Sequence, residues 1–397
     1  MSAHSDIIVI GGGIVGISHA AAALRQGLKV LLIERDETPR GASVRNFGTI
    51  WPIGQAQGHG LELAERSRKL WLDWHEDAAV TVRACGSLHL AREADELRVL
   101  KEFYEREHIA RELRLLTPEE ASEFAPAVRT EGLMGALWSA SELGVDPGQA
   151  ISALHRFVSR SGGAIRRGVA VGVEGGCVRM ADGTSHDADH VFVCSGDDLA
   201  TLCPAELSRL PLTLCRLQMM RTYPQPASFR LGPHIAGGLT LCHYPAFSTC
   251  ASLEALRDRF DRERPEYRAA GIHVLATQHA TGEIVIGDSH HYGSQANTPR
   301  IDSAVNALIL RYLDELVKLP DRVIESTWNG VYAKTTDGSL YFAHDAGERC
   351  TLVSGLGGAG MTLAPALGEH LIGRIASGGA TMIRPDTDPT PRAEQSA

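Results

Sequence analysis

Residues 6–35, DIIVIGGGIVGISHAAAALRQGLKVLLIER, read as one strand–helix–strand unit, and no other stretch limits the possible folds so strongly. IIVI at 7–10 is an unbroken apolar run ended by glycine, the pattern of a parallel strand buried on both faces. A helix of small residues follows as far as Gln26, with Gly27 where a helix-ending glycine belongs. KVLLIE at 29–34 supplies the second parallel strand. Between strand and helix lies Gly11-x-Gly13-x-x-Gly16, and Glu34 closes the second strand 18 residues after Gly16. Gly11 allows the tight turn, Gly13 lets a pyrophosphate reach the backbone, and Gly16 lets helix and strand pack closely. The helix N-terminus offers free N–H groups and partial positive charge to phosphates. Glu34 is suited to accept hydrogen bonds from the ribose hydroxyls of an adenosine. An acid at this point argues against a 2′-phosphate, and hence against NADP.

The rest of the chain alternates between two characters. Apolar residues spaced three or four apart predict a helix over 60–76, a second over 93–107, and a third over 303–319 stopped by Pro320. TPEE at 117–120 is a helix start with a Thr cap, as is Asp146-Pro147, whose helix runs to Gly162-Gly163. GSLHLA (86–91), the stretches 164–171 and 176–180, VFVCSG (191–196) and CTLVSG (350–355) have strand character, the last followed by a helix to about Ser377. From 209 to 290 the chain reads as β-rich, with a hairpin turning at Thr281-Gly282. The α/β pieces lie at the start, around 164–196 and at the end. One nucleotide-binding domain is therefore expected to be assembled from separated segments, with a more antiparallel domain inserted. The tail at 385–397 lacks the apolar content to pack and is expected to be disordered.

Composition excludes several function classes. With 39 Lys+Arg against 48 Asp+Glu, a formal charge of −9, the chain has no overall basic footprint for nucleic acid or an anionic membrane surface. No apolar run is long enough to span a membrane, and no basic leader precedes the first strand. Eight cysteines without a C-x-x-C pair point to reduced thiols, so a cytoplasmic location is expected. G-x-S-x-G and H-E-x-x-H are both absent. The 17 histidines are scattered, only His290-His291 being adjacent, so no metal site is expected.

Two further loops carry chemistry. Gly355-x-Gly357-x-x-Gly360 repeats the first glycine pattern between a strand and a helix, yet no acidic residue follows at the distance a second adenosine would need. Unless it is a plain turn, it presents a helix N-terminus to a group that gains negative charge, as the N1–C2=O edge of a flavin does on reduction. GASVRNFGTIWPIGQ (41–55) is rich in small residues and suits a loop running beside a cofactor, although an ordinary loop has the same composition.

In order and spacing these elements resemble the D-amino-acid oxidase, glycine oxidase and sarcosine oxidase superfamily of FAD enzymes, over nearly the whole chain. The resemblance rests on the N-terminal glycine motif with Glu34, Ala42-Ser43-x-x-Asn46-x-Gly48, Asp146-Pro147, VFVCSG, W-x-G-x-Y-x-x-T-x-D from Trp328 to Asp337, and the C-terminal glycine loop. VRNFGTIWPIGQ, SRKLW and GLGGAGMTLAPALGE are similar to a narrower clade associated with bacterial phosphonate degradation, for which aminophosphonate substrates are inferred. The resemblance implies an α/β plus α+β architecture: a Rossmann-like FAD-binding domain from 1–84, 145–208 and 325–384, and an antiparallel-sheet substrate domain from 85–144 and 209–324. It implies FAD contacts at Gly11, Gly13, Ile14, Val15, Gly16, Glu34 and Arg35, then at Ala42, Ser43, Asn46, Phe47 and Gly48. Further contacts are implied at Val169, Ser195, Gly196 and Gly330, and at Gly357, Gly358, Ala359, Gly360, Met361 and Thr362. The implied reaction is hydride transfer to flavin N5 from the C–H next to an amine nitrogen. Hydrolysis of the resulting imine then yields a carbonyl compound and ammonia or methylamine.

The departures sharpen the substrate. Where glycine and D-amino-acid oxidases carry a carboxylate-clamping arginine soon after W-x-G, this chain reads WNGVYAK, with Tyr332 near that place and Lys334 two residues on. Where sarcosine oxidases use a lysine after the C-terminal loop, it has Thr362. Their flavin-tethering cysteine matches Gly330, so FAD is expected to be held non-covalently. Val285 falls near the position of their oxygen-activating lysine. With both clamps absent, an aminophosphonate such as 2-aminoethylphosphonate or its N-methyl form is the expected amine, its tetrahedral anion held by Lys334, Tyr332, Thr362, Arg45 and His290. A D-amino acid, glycine or sarcosine oxidase with rearranged contacts, and a flavin- or NAD-binding module without catalysis, are the alternatives. The electron acceptor, oxygen or another, and the oligomeric state stay open.

Overall fold

A computed structural model describes residues 4–377; the segment 378–384 and the expected disordered tail at 385–397 lie outside the described residues. The opening unit forms as its pattern requires: β1 (Ser5–Ile10), α1 (Ile14–Arg25) and β2 (Val30–Glu34), with Gly27 ending the helix at φ +77°. Both strands are almost fully buried, which explains their unbroken apolar runs.

Around this unit grows an eight-stranded sheet. Its main path runs Phe342–Asp345, Cys350–Ser354, Ser185–Val193, β1, β2, Ala164–Arg167. Every pairing on that path is parallel except the edge pair Phe342–Asp345 with Cys350–Ser354. On one face pack α1, α2 (His59–Asp77), the Pro147–Arg160 helix and the Gly360–Ala376 helix, sharing a core with Trp71 and Trp74 at its centre. Trp71 Nε1 donates to Met361 O at 2.8 Å, so that core also sets the start of the last helix. The helix starts behave as read. Thr117 and Glu120 form a reciprocal capping box, and Asp146 Oδ1 accepts from Gln149 N–H.

The second sheet has nine strands and is mostly antiparallel. Three details differ from the sequence reading. The strand Ile324–Thr335, joined by sequence to the FAD segments, pairs with Leu212–Thr222 along almost its whole length and so belongs to this sheet. The stretch 164–171 breaks at Gly168 (φ +151°) into two strands that part company. The β-rich stretch 209–290 also contains the helices Leu253–Glu263 and Pro265–Ala269. Leu253, Leu256 and Phe260 recur at helical spacing inside a run otherwise dominated by charge, and their burial holds the first of these. Among the described residues no helix is long and apolar enough to cross a membrane.

Several core positions are histidines, and these make the fold acid-sensitive. His19 in α1 packs on Phe192, while His89 and His234 lie beside Trp51. Burial pushes His19 down to about 4 and His89 and His234 to about 3, so all three stay neutral when folded. The unfolded chain binds protons at these sites below about pH 6.5, whereas the folded chain does not until its own lower values are reached. Stability is therefore complete above the unfolded value and falls as pH drops towards 4. Each histidine is expected to cost about 1 kcal/mol between pH 7.5 and 5.5. Urea unfolding at the two pH values should show a drop of a few kcal/mol; an unchanged midpoint and slope would contradict it.

Candidate active site

A cavity of about 1220 Å³ runs from the C-terminal ends of β1 and β2 to the inner face of the second sheet. This exceeds the range of roughly 300–1,000 Å³ usual for one small ligand. At its first end the glycine turn is dictated by backbone. Gly11 has φ +104°, and a Cβ there would lie 2.2 Å from Cys194 O. A Cβ on Gly16 would lie 1.8 Å from Gly11 O. Glu34 is buried at the end of β2; its carboxylate accepts from Gly12 N–H at 2.5 Å and Asp36 N–H at 2.9 Å. His155 Nε2 lies 2.8 Å from Gly12 O on the other side of the turn.

The loop after β2 folds across this end. Ser43 Oγ accepts from Ile14 N–H at 2.8 Å. Asn46 stitches its own loop, donating to Ala42 O at 2.8 Å and accepting from Gly48 N–H at 2.7 Å. Ala42, Phe47, Val15, Val169, Ser195 and Gly196 also line the cavity. Arg35 reaches outward to Asp198 at 2.8 Å. Asp198 also caps Ala200 and Thr201, and Ser195 Oγ donates to its carbonyl.

The second glycine loop lies along the same cavity. Gly357–Ala359 form one short turn that runs straight into the Gly360–Ala376 helix. Neither that helix nor α1 has a side-chain cap at its start. Ser43 takes Ile14 N–H, and each start presents the partial positive charge of its helix to an anion or a polar ring edge. Two uncapped helix starts, bare glycine backbone between them and a buried acid 18 residues beyond Gly16 fit FAD. Gly330 faces Arg45 O, which a Cβ there would approach to 3.0 Å.

At the far end the expected anion-holding residues divide. Lys334 is half-buried against the glycine loop, its Nζ 3.5 Å from Tyr292 Oη. Burial lowers its ammonium from the usual value, and among the described residues no carboxylate pairs with it. Tyr332 is buried with its hydroxyl beside Gly358, and burial raises Tyr332 and Tyr244 far enough to keep their protons, while Tyr292 stands exposed at the rim. His290 also lines the cavity. Thr362 and Arg45 are committed differently. Thr362 Oγ1 accepts from Trp51 N–H at 3.0 Å, tying the last helix to the 49–54 segment. Arg45 is exposed and donates to Asn329 O at 3.2 Å. Val285 is buried in the strand Ile284–Gly287, between Arg221 and Thr277, rather than on the cavity wall.

The expectation of scattered histidines needs correcting. His243, His273 and His290 converge on the cavity, with ring centroids 3.9, 4.5 and 5.2 Å apart. Asp288 lies among them, its Oδ1 3.0 Å from His273 Nε2 and its Oδ2 3.8 Å from His290 Nε2. Burial alone would raise the Asp288 carboxyl; the two imidazoles bring it below the usual carboxylate range. Burial lowers His290 to about 4. Sequence reasoning missed His243, Tyr244, His273 and Asp288, because their positions share no spacing that a local pattern records.

Glu34 offers a local test. Glutamine keeps its shape but replaces one acceptor oxygen by a donor, so Glu34→Gln is expected to weaken FAD binding about tenfold. Fluorescence titration of apoprotein checks this, and unchanged affinity would remove Glu34 from adenosine recognition.

Comparison with known proteins agrees with this geometry. Residues 6–374 match the family described as DAO: FAD dependent oxidoreductase. The chain is 23% identical to glycine oxidase of Bacillus licheniformis over 384 residues, covering 93% of this chain and 92% of that protein. It is 23% identical to one of the subunits of opine oxidase from Rhizobium meliloti, covering 84% of this chain and 83% of that protein. Among solved structures, L-proline dehydrogenase from P. horikoshii superposes with a TM-score of 0.77 at 21% identity, covering 96% of this chain and 95% of that one.

Proposed function

The chain belongs to the DAO family of FAD-dependent oxidoreductases, and from that membership we propose that it oxidises an aminophosphonate, 2-aminoethylphosphonate or its N-methyl form, with non-covalently held FAD. The net products are a phosphonoaldehyde and ammonia or methylamine. The observation that carries the substrate class is Lys334: a half-buried ammonium on the cavity wall without a carboxylate partner among the described residues. Beside it stand the protonated phenols of Tyr292 and Tyr332.

The residues proposed to hold FAD are those expected from sequence. Gly11, Gly13, Ile14, Val15, Gly16, Glu34 and Arg35 stand at the adenosine and pyrophosphate end. Ala42, Ser43, Asn46, Phe47, Gly48, Val169, Ser195 and Gly196 lie alongside, with Gly330 and Gly357 to Thr362 at the ring end. Bound FAD supplies a two-electron acceptor for the C–H bond next to the amine nitrogen.

The chain's own residues do the positioning. Lys334 Nζ attracts a phosphonate oxygen in surroundings where water screens the charge poorly. Tyr332, still protonated, donates from its hydroxyl to a further oxygen. A tetrahedral dianion accepts such donors from several directions, whereas a planar carboxylate is best matched by a guanidinium fork, which this chain does not carry after its W-x-G. Anchoring the anion there leaves the amine-bearing carbon to face the ring end of the cavity.

Anaerobic mixing of FAD-loaded protein with a panel of amines tests the proposal. Flavin bleaching by 2-aminoethylphosphonate or its N-methyl form, ahead of glycine, sarcosine and D-amino acids, is expected. The reverse preference would transfer the site to amino-acid oxidation, and protein that stays colourless with added FAD would overturn the cofactor.

A further inference from the structure

His243, His273 and His290 come from three separate segments, yet one ring nitrogen of each lies within 4.8 Å of the other two. The geometry points to a site for one divalent transition-metal ion of the zinc class, held by these three imidazoles, with its fourth coordination position open to the cavity.

The tautomers favour it. His290 Nδ1 donates to Gly271 O at 3.0 Å, which leaves Nε2 with its lone pair. His273 Nε2 approaches Asp288 Oδ1 at 3.0 Å, and both His273 Nδ1 and Asp288 Oδ1 are buried without a hydrogen-bond partner. A metal-binding histidine usually shows this arrangement: an outer carboxylate or carbonyl engages one nitrogen and orients the other. A buried nitrogen lone pair left unpaired is costly, and a metal ion satisfies it. His243 borders the cavity with no hydrogen bond to its ring among the described residues, and it stacks on His273 at 3.9 Å. As placed, the rings overlap partly face to face. Bringing the nitrogens to the roughly 3.3 Å spacing implied by tetrahedral bonds of about 2.0–2.1 Å requires side-chain rotation. Asp288 balances part of the added charge, while Lys334 opposes it, and the single set of three imidazoles holds one ion.

Three protein ligands with an open fourth position is the arrangement of a zinc site that takes water or substrate rather than one that only braces a fold. Its place on the wall it shares with Lys334 gives the ion a role: an oxygen of the substrate's anionic group occupies the open position. That role rests on the aminophosphonate reading; metal binding itself does not.

The test uses untagged, FAD-loaded full-length protein freed of metal by chelator dialysis, titrated calorimetrically with Zn2+ and followed by the ligand-field bands of Co2+. One Zn2+ per chain with a Kd below about 1 µM is expected. His243→Ala, at the cavity edge, should weaken binding about 100-fold or more, and Asp288→Asn about 10- to 100-fold. Retained flavin absorbance and unchanged Tm show that each variant is folded. Absence of binding at 100 µM Zn2+, a figure about two orders above that Kd, or unchanged affinity in His243→Ala, would overturn the site. Bleaching by an aminophosphonate in protein that binds no metal would remove the metal and keep the substrate. Stoichiometric metal without bleaching by any aminophosphonate would do the opposite.

Discussion

Lys334→Met is expected to leave FAD bound and to lower kcat/KM for an aminophosphonate by about 10- to 100-fold, the worth of one charge-assisted hydrogen bond of about 1.5–3 kcal/mol. The reason is local. Lys334 is partly desolvated, its positive charge is unpaired by any described carboxylate, and its nearest polar neighbour is the neutral hydroxyl of Tyr292. Methionine keeps most of the length and the packing against Gly357 and removes the charge with its N–H donors. Lys334→Arg should restore part of the loss, since a guanidinium also binds phosphonate, although its planar fork fits a pocket shaped for a point charge less well. Stopped-flow bleaching under nitrogen separates the explanations. A comparable loss with an uncharged amine of the same length would show that Lys334 acts on the flavin or the fold, and no loss with the phosphonate would remove it from the site.

Gly16→Val is expected to give protein without flavin and with its unfolding free energy lowered by about 3 kcal/mol or more. A Cβ at Gly16 would stand 1.8 Å from Gly11 O, with Gly11 C and Val9 Cγ1 next nearest at 3.0 and 3.2 Å. The closest obstacle is backbone, so no rotamer change relieves it, and the turn that faces the phosphates must move. Gly27→Ala is the control. Nothing lies within 4 Å of its added Cβ, and only its φ of +77° is unfavourable, at a cost of about 1 kcal/mol. That variant should keep its colour. Loss of flavin in both would point to general destabilisation, and retention in both would contradict the role of close packing at Gly16.

Much of the FAD end was legible because its determinants are local. Gly11, Gly13, Gly16 and Glu34 sit on one strand–helix–strand unit whose geometry follows from buried runs and a helix start, so spacing along the chain is spacing in space. The C-terminal loop from Gly355 was legible for the same reason. The helix Leu253–Glu263 was not, because three buried apolar residues are a faint signal within a charged run.

The substrate end divides along the same line. Tyr332 and Lys334 were found on one strand, where alternate residues share a face. Thr362 and Arg45, equally visible in sequence, turned out to hold Trp51 and Asn329 backbone, a choice made by their neighbours in space. His243, His273, Asp288 and His290 meet only because the nine-stranded sheet and the helices over it fold distant segments together. By itself the sequence determined the α/β frame and the dinucleotide turn, since each depends on local pattern. Only the tertiary structure decided which polar side chains gather in the cavity and which of them are bonded to distant backbone, because burial, desolvation and pairing belong to long-range contacts that no short window of residues contains.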